Sequence, residues 1–135
     1  MIKFAITIDV LESGWADLSL LINGDKKTLY FENIPNDAIY ELLVGALKIA
    51  GGIGSAVIFH NASQKTYLTV NKAENGLCRL EIDNDCFEIP VKQFCKSVLR
   101  MFDKYVFAFS KDEYTRHWGG FPERELERLR EAYHS

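Results

Sequence analysis

The sequence predicts an α+β fold, a mostly antiparallel sheet with helices packed on one face. Segments that alternate polar and apolar residues come in two blocks joined by turn residues, and only a few stretches carry apolar residues at helical spacing. The predicted order is βββ-α-ββββ-αα. No linker, repeat or low-complexity stretch interrupts the 135 residues, so we expect a single domain over residues 1–135.

The first block predicts a meander of three antiparallel strands. Apolar residues occupy every second position from Ile2 to Ile8, which is typical of a half-buried strand. A second alternating segment, residues 16–22, ends at Asn23-Gly24, the dipeptide favoured in two-residue hairpin turns. Residues 28–31 then supply the returning strand.

A helix, four short strands and a helical end follow. Asn36 or Asp37 is placed to cap a helix whose apolar stripe runs to Ala50 and stops at Gly51-Gly52. The second β block comprises residues 55–60, 66–70 and 77–82 and a short strand that ends near Ile89. Residues 91–109 keep helical spacing for five turns, residues 110–118 predict a short helical turn, and Pro122 opens a final helix.

Composition argues against several classes of protein. The net charge is −3 and the only run of basic residues, in the last helix, is interleaved with Glu, so we expect no nucleic-acid partner. The first ten residues read as a strand and no long apolar run follows, so we expect a cytoplasmic protein with no membrane partner. Cys78, Cys86 and Cys95 fit no metal or disulfide spacing; we expect free thiols and no cofactor or metal.

No catalytic motif occurs, and the candidate site residues are therefore candidates for binding a partner. Carboxylates cluster over residues 81–88, here called the acidic hairpin, and include Asp83, Asp85 and Glu88. They suit either a solvated turn or a patch that docks a basic protein. Trp15 lies in a predicted loop, where it is either an interface anchor or a lid on the core. The predicted partner-binding set is Trp15, Asp83, Asp85 and Glu88.

Two alternatives stay open. A small hydrolase or nuclease without a local motif would draw on His60, Tyr67, Arg79 and Glu81 of the second β block, or on a pocket that holds His60 or His117 beside an acid. His117 can meet Glu113 on one helical face, whereas His134 has no evident partner. An oligomerising domain, such as a homodimer, would instead pair exposed strand edges between copies.

The C-terminal stretch Tyr114-x-x-x-Trp118-x-x-Phe121-Pro122-x-x-Glu125-Leu126-x-x-Leu129 resembles the endings of small bacterial proteins. Some of these are grouped with the immunity proteins of polymorphic-toxin and contact-dependent growth inhibition systems. The resemblance covers about a seventh of the chain and implies a cytoplasmic, non-enzymatic inhibitor that binds and neutralises a cognate toxin domain. It transfers no functional residue, because those families share none.

Overall fold

The structure, a computed structural model, describes residues 2–133 and confirms the α+β class and the predicted order of elements. The elements are β1 (Phe4–Glu12), β2 (Trp15–Ile22), β3 (Asp25–Glu32), α1 (Ala38–Ala50), β4 (Ser55–His60), β5 (Lys65–Lys72), β6 (Leu77–Ile82), β7 (Asp85–Pro90), α2 (Val91–Ala108), α3 (Lys111–His117) and α4 (Glu123–Ala132). The histidine considered at position 134 lies outside the described residues.

The strands form two antiparallel sheets, sheet A in the order β1-β2-β3 and sheet B in the order β4-β5-β6-β7. The hairpin turn between β2 and β3 is the predicted one: Asn23 and Gly24 both have positive φ, 52° and 89°, as a two-residue turn between twisted strands requires. The strands around it are longer than predicted, since cross-strand pairs extend to Glu12↔Trp15 and to Ile22↔Asp25.

Side chains keep sheet A and sheet B from joining between β3 and β4. The backbone N–H of Ile58 donates to Glu41 Oε1 at 2.9 Å, and its carbonyl accepts from Asn36 Nδ2 at 2.8 Å. Asn61 Nδ2 donates to the carbonyl of Tyr30 at 3.0 Å. The backbone groups of Ile58 and the carbonyl of Tyr30 are therefore not available to a neighbouring strand, which also protects the edge of β4.

One apolar core lies between the sheets and the helices. Its sheet A side comes from alternate residues such as Leu18 and Leu20, and its sheet B side from Leu68 and Leu80, all fully buried. Helix α1 lies in the middle and packs against β4, α2 and α4. Of the two predicted caps, Asn36 and Asp37, it is Asp37 whose side chain accepts from the N–H of Tyr40 at 3.0 Å, and the helix ends at Gly51 as predicted.

The residues that carry the C-terminal resemblance lie largely in this core. Tyr114, Trp118, Leu126 and Leu129 are all buried. Burial raises the pKa of the Tyr114 hydroxyl far above its ordinary value. The ring of Trp118 meets Phe31 edge-on, with centroids 5.8 Å apart. These C-terminal residues therefore attach α3 and α4 to the body of the protein.

Candidate functional site

The acidic hairpin is tied to sheet A by an ion pair across the two sheets. Lys27 Nζ lies 3.0 Å from Asp83 Oδ2 and 3.7 Å from Asp85 Oδ2. The hydrogen bond with Asp83 raises the pKa of the Lys27 ammonium. Both carboxylates are more than half exposed, and they share one cation of the same chain, Lys27, which offsets part of their charge. Their charge is therefore less available to a partner than the sequence suggested.

The three carboxylates of the predicted set do not share one face of sheet B. In β7, Asp85 is paired with the buried Ile82, on the face turned towards the helices. Glu88 stands at an odd spacing from Asp85 and therefore points to the opposite, outer face. There Glu88 Oε2 accepts a hydrogen bond from Arg79 Nη2 at 3.0 Å. The positive charge of Arg79 therefore offsets the negative charge of Glu88 in the acidic hairpin.

Trp15 lies at the far end of sheet A from the acidic hairpin and belongs to β2, so the predicted loop is wrong at this residue. It pairs with Glu32 at the end of β3, whereas Lys27, which holds the hairpin, lies five residues earlier on that strand. Five residues of strand span about 17 Å. Trp15 and the acidic hairpin therefore do not form one continuous patch.

A different set of carboxylates surrounds Trp15. Glu12 and Glu32 lie directly across from Trp15 on its two neighbouring strands, and Tyr30 lies across from Asp17. Residues directly opposite in a sheet point to the same face. Glu12, Trp15, Asp17, Tyr30 and Glu32 thus share the outer face of sheet A, and this set is called the Trp15 face below.

The Trp15 face combines aromatic surface with uncompensated negative charge. The rings of Trp15 and Tyr30 lie 5.5 Å apart, and Tyr30 is 47% exposed. Within residues 2–133, no lysine, arginine or histidine nitrogen lies within 4.0 Å of the carboxylates of Glu12, Asp17 or Glu32. Sequence reasoning missed this set because its acids come from three strands and meet only through the register of the sheet.

The residues named for a nuclease share a face but are dispersed along it. His60, Tyr67, Arg79 and Glu81 all point outward from sheet B. His60 is paired with Lys65 at one end of β5, and Arg79 is paired with Asn71 towards the other end. Six residues of strand place the two ends about 20 Å apart, too far for His60 and Arg79 to act on one bond.

A second polar arrangement joins α3 to the β1–β2 turn. His117 lies between a hydroxyl and a carboxylate: Nδ1 is 3.4 Å from Ser13 Oγ, and Nε2 is 3.2 Å from Glu113 Oε2. A histidine placed between a hydroxyl and a carboxylate is one arrangement that activates a nucleophile. Glu113 and His117 border a cleft of about 170 Å³, smaller than the roughly 300–1,000 Å³ typical of small-molecule sites.

The contacts around Ser13, His117 and Glu113 favour a structural role for these three residues. The N–H of Gly14, next to Ser13, donates to the carbonyl of His117 at 3.3 Å, so it is not free to stabilise an oxyanion. Glu113 also accepts from Arg116, and this hydrogen bond lowers the pKa of the Glu113 carboxyl. The arrangement fastens the end of α3 to the turn of the first hairpin.

Comparison with known proteins adds no relative: no family model, curated protein or solved structure matches this chain. Among residues 2–133 no three His, Cys, Asp or Glu side chains are grouped so that they could hold a metal ion. No helix in the same span has both the length and the apolarity that crossing a membrane demands. The interpretation of function therefore depends on the surfaces described above.

Proposed function

We propose that this chain is a non-enzymatic protein-binding inhibitor whose Trp15 face docks onto a basic domain of its partner. The C-terminal resemblance favours an immunity protein that neutralises a cognate toxin domain. The observation that carries the proposal is the pair Trp15–Tyr30 set among carboxylates that have no counter-ion in the described part of the chain.

Aromatic side chains and charge supply different parts of such an interface. Trp and Tyr are enriched among the residues that contribute most to binding, because they bury large apolar area and still present a polar group. Carboxylates at the rim attract a basic partner and speed association, more strongly at low salt. The Trp15 face has the aromatic pair at its centre and Glu12, Asp17 and Glu32 beside it.

The proposed site of action is the cytoplasm. Cys78 and Cys95 are buried thiols and Cys86 is an exposed one, and none is joined in a disulfide. Free thiols persist in compartments that thioredoxin and glutathione keep reduced.

The direct experiment is a binding titration with the protein that the neighbouring gene encodes. Trp15→Ala removes the aromatic centre, and we expect the dissociation constant to rise at least about 30-fold, as at an interface hot spot. The double variant Asp17→Asn/Glu32→Gln removes two charges without changing side-chain size. We expect it to weaken binding by about 3- to 30-fold and to reduce the salt dependence of association.

The acidic hairpin offers a matched control. Asp83→Asn/Asp85→Asn also removes two charges, and Asn tolerates the positive φ of 51° at position 83. We expect this control to change affinity less than about twofold, because the hairpin lies at the far end of sheet A from Trp15 and outside the proposed docking surface. If the control weakened binding as much as Asp17→Asn/Glu32→Gln, the loss would not be specific to the Trp15 face, and the proposed docking surface would be wrong.

A hydrolase is the second candidate, and the contacts of His117 with Ser13 and Glu113 are the observation in its favour. Ser13→Ala removes the only hydroxyl of this arrangement. A panel of aryl esters and phosphodiesters tests it: hydrolysis by the wild-type protein that is lost in Ser13→Ala would establish the enzyme. We expect no hydrolysis by either protein, because the N–H of Gly14 is already bonded.

A further inference from the structure

Helix α2 carries a row of cations along the side that faces away from the core. Lys92, Lys96, Arg100 and Lys104 follow one another at intervals of four residues. Each interval advances about 6 Å along the helix, so the row is about 18 Å long. The buried residues of α2, such as Phe94, Val98 and Phe102, lie on the opposite side. The four residues, together with Phe107 described below, are called the α2 row.

The cations of the α2 row have no ionic partner within the span that the structure describes. No carboxylate oxygen of residues 2–133 lies within 4.0 Å of their side-chain nitrogens. The one acid on this side of the helix, Asp103, is bonded to Arg130 of α4 at 2.5 Å. A protein with net charge −3 thus has a linear concentration of positive charge on one helix.

An exposed aromatic ring continues the row. Phe107 is 95% exposed and lies seven residues, about two turns, beyond Arg100, which places it on the same side of the helix. At the other end of the row, a cleft of about 340 Å³ has Phe4 and Pro90 among its lining residues, beside Lys92 and Lys96. Apolar surface therefore lies at both ends of the row of cations, which with Phe107 extends over about 22 Å of helix.

We infer that the α2 row binds single-stranded nucleic acid, with its cations on successive phosphates and Phe107 stacked on a base. Proteins that bind single strands without sequence preference combine a basic track for the backbone with aromatic rings for the bases. An even linear spacing of charge fits the regular backbone of a nucleic acid better than the irregular acids of a protein surface. A membrane surface would require several exposed apolar residues beside the cations, and within α2 Phe107 is the one large apolar side chain that is exposed.

The expectation of no nucleic-acid partner depended on the net charge and on consecutive basic residues. Neither measure detects cations spaced one helical turn apart, since three other residues separate each pair. The α2 row also differs in position from the Trp15 face. Trp15 points outward from sheet A, whereas α2 packs along β1 on the side of the core. The two surfaces can therefore be tested independently.

The test is fluorescence anisotropy with a labelled oligo(dT) and a labelled oligo(U) of twelve nucleotides, titrated with the full chain. If four cations each neutralise one phosphate, the logarithm of the association constant falls against the logarithm of salt concentration with a slope of about −2.8. Affinity then drops about 50-fold between 50 and 200 mM salt. Circular dichroism of every variant establishes that it is folded before binding is measured.

Two variants separate charge from stacking. Lys96→Gln/Arg100→Gln removes half of the cations, and we expect the salt slope to fall to about −1.4. The control Arg124→Gln/Arg128→Gln removes the same charge from exposed positions of α4, and it should leave the slope unchanged. Phe107→Ala should weaken binding between about fivefold and 150-fold without changing the slope. Tyr67→Ala, at an exposed ring of sheet B, should have no effect.

Three results would overturn the inference. The first is no anisotropy change at 50 mM salt with micromolar protein. The second is binding of poly-glutamate or of phosphatidylserine vesicles as tight as that of the oligonucleotides, because the surface would then recognise negative charge alone. The third is an equal loss of affinity in the α4 control and in the α2 variant, because the binding site would then lie elsewhere.

Discussion

One carboxylate holds two distant parts of the chain together, and its removal is the sharpest test of the fold. Asp37 Oδ1 accepts from the N–H of Tyr40 at 3.0 Å, which caps α1. The same oxygen accepts from the indole Nε1 of Trp118 at 2.8 Å, between α3 and α4. Trp118 is 8% exposed, so its N–H has little access to water when this partner is lost. The perturbation is Asp37→Ala.

The cost follows from the two bonds. Loss of an N-cap costs about 1 kcal/mol, and a buried donor left without a partner costs about 1–3 kcal/mol. We therefore expect Asp37→Ala to lower the free energy of unfolding by about 2–4 kcal/mol. At an unfolding entropy of about 2 cal/mol/K per residue, the Tm of this 135-residue chain falls by about 7–14 °C. Asp37→Asn keeps the accepting oxygen and should cost less than about 1 kcal/mol.

Urea denaturation of a double-mutant cycle measures the part that belongs to Trp118. Trp118→Phe removes the donor while keeping an aromatic ring. In that background Asp37→Ala should cost only the cap, so the coupling free energy between the two positions should be about 1–3 kcal/mol. A coupling below about 0.5 kcal/mol would refute the reasoning, because the contact between Asp37 and Trp118 would then add nothing to stability.

Two further predictions concern thiols and a strand edge. Burial raises the pKa of Cys78 to about 11 and of Cys95 to about 12, whereas Cys86 is exposed. A thiol reagent should therefore modify one cysteine in the native protein and three in denaturant. Because an unfolded thiol ionises near pH 9 and the buried ones do not, stability should fall as pH rises from about 9 towards 12, which pH-dependent denaturation measures. Glu41→Ala leaves the N–H of Ile58 without its acceptor, and we expect the free energy of unfolding to fall by about 1–3 kcal/mol. Light scattering should reveal association of the protein through the open β4 edge. A variant that remains monomeric would contradict the protective role of Glu41.

Local residue pattern was sufficient for the elements themselves. Alternation from Ile2 to Ile8, the dipeptide Asn23-Gly24 and the five-turn stripe of α2 each reflect a rule that acts within a few residues, so strand, turn and helix were predictable from the sequence. Asp37 was one of two predicted caps for the same reason.

Surfaces depend on contacts between residues that are distant in sequence, and these could not be predicted from local pattern. Nothing in residues 81–88 indicates that Lys27 of another sheet pairs with the carboxylates of Asp83 and Asp85. The neighbours of Trp15 were set by strand register, because Glu12 and Glu32 come from different strands.

The α2 row and the Trp15 face differ in how much of each can be predicted from the sequence without the tertiary structure. Every cation of the α2 row is visible in the sequence at four-residue spacing, yet only the packing of Phe94, Val98 and Phe102 against the core decides that the cations face solvent. The Trp15 face has no such linear signal, since its acids meet only when β1, β2 and β3 pair. Sequence determined the elements because helix and strand periods are local. Tertiary structure decided the charge of each surface because electrostatic interaction depends on distance in space.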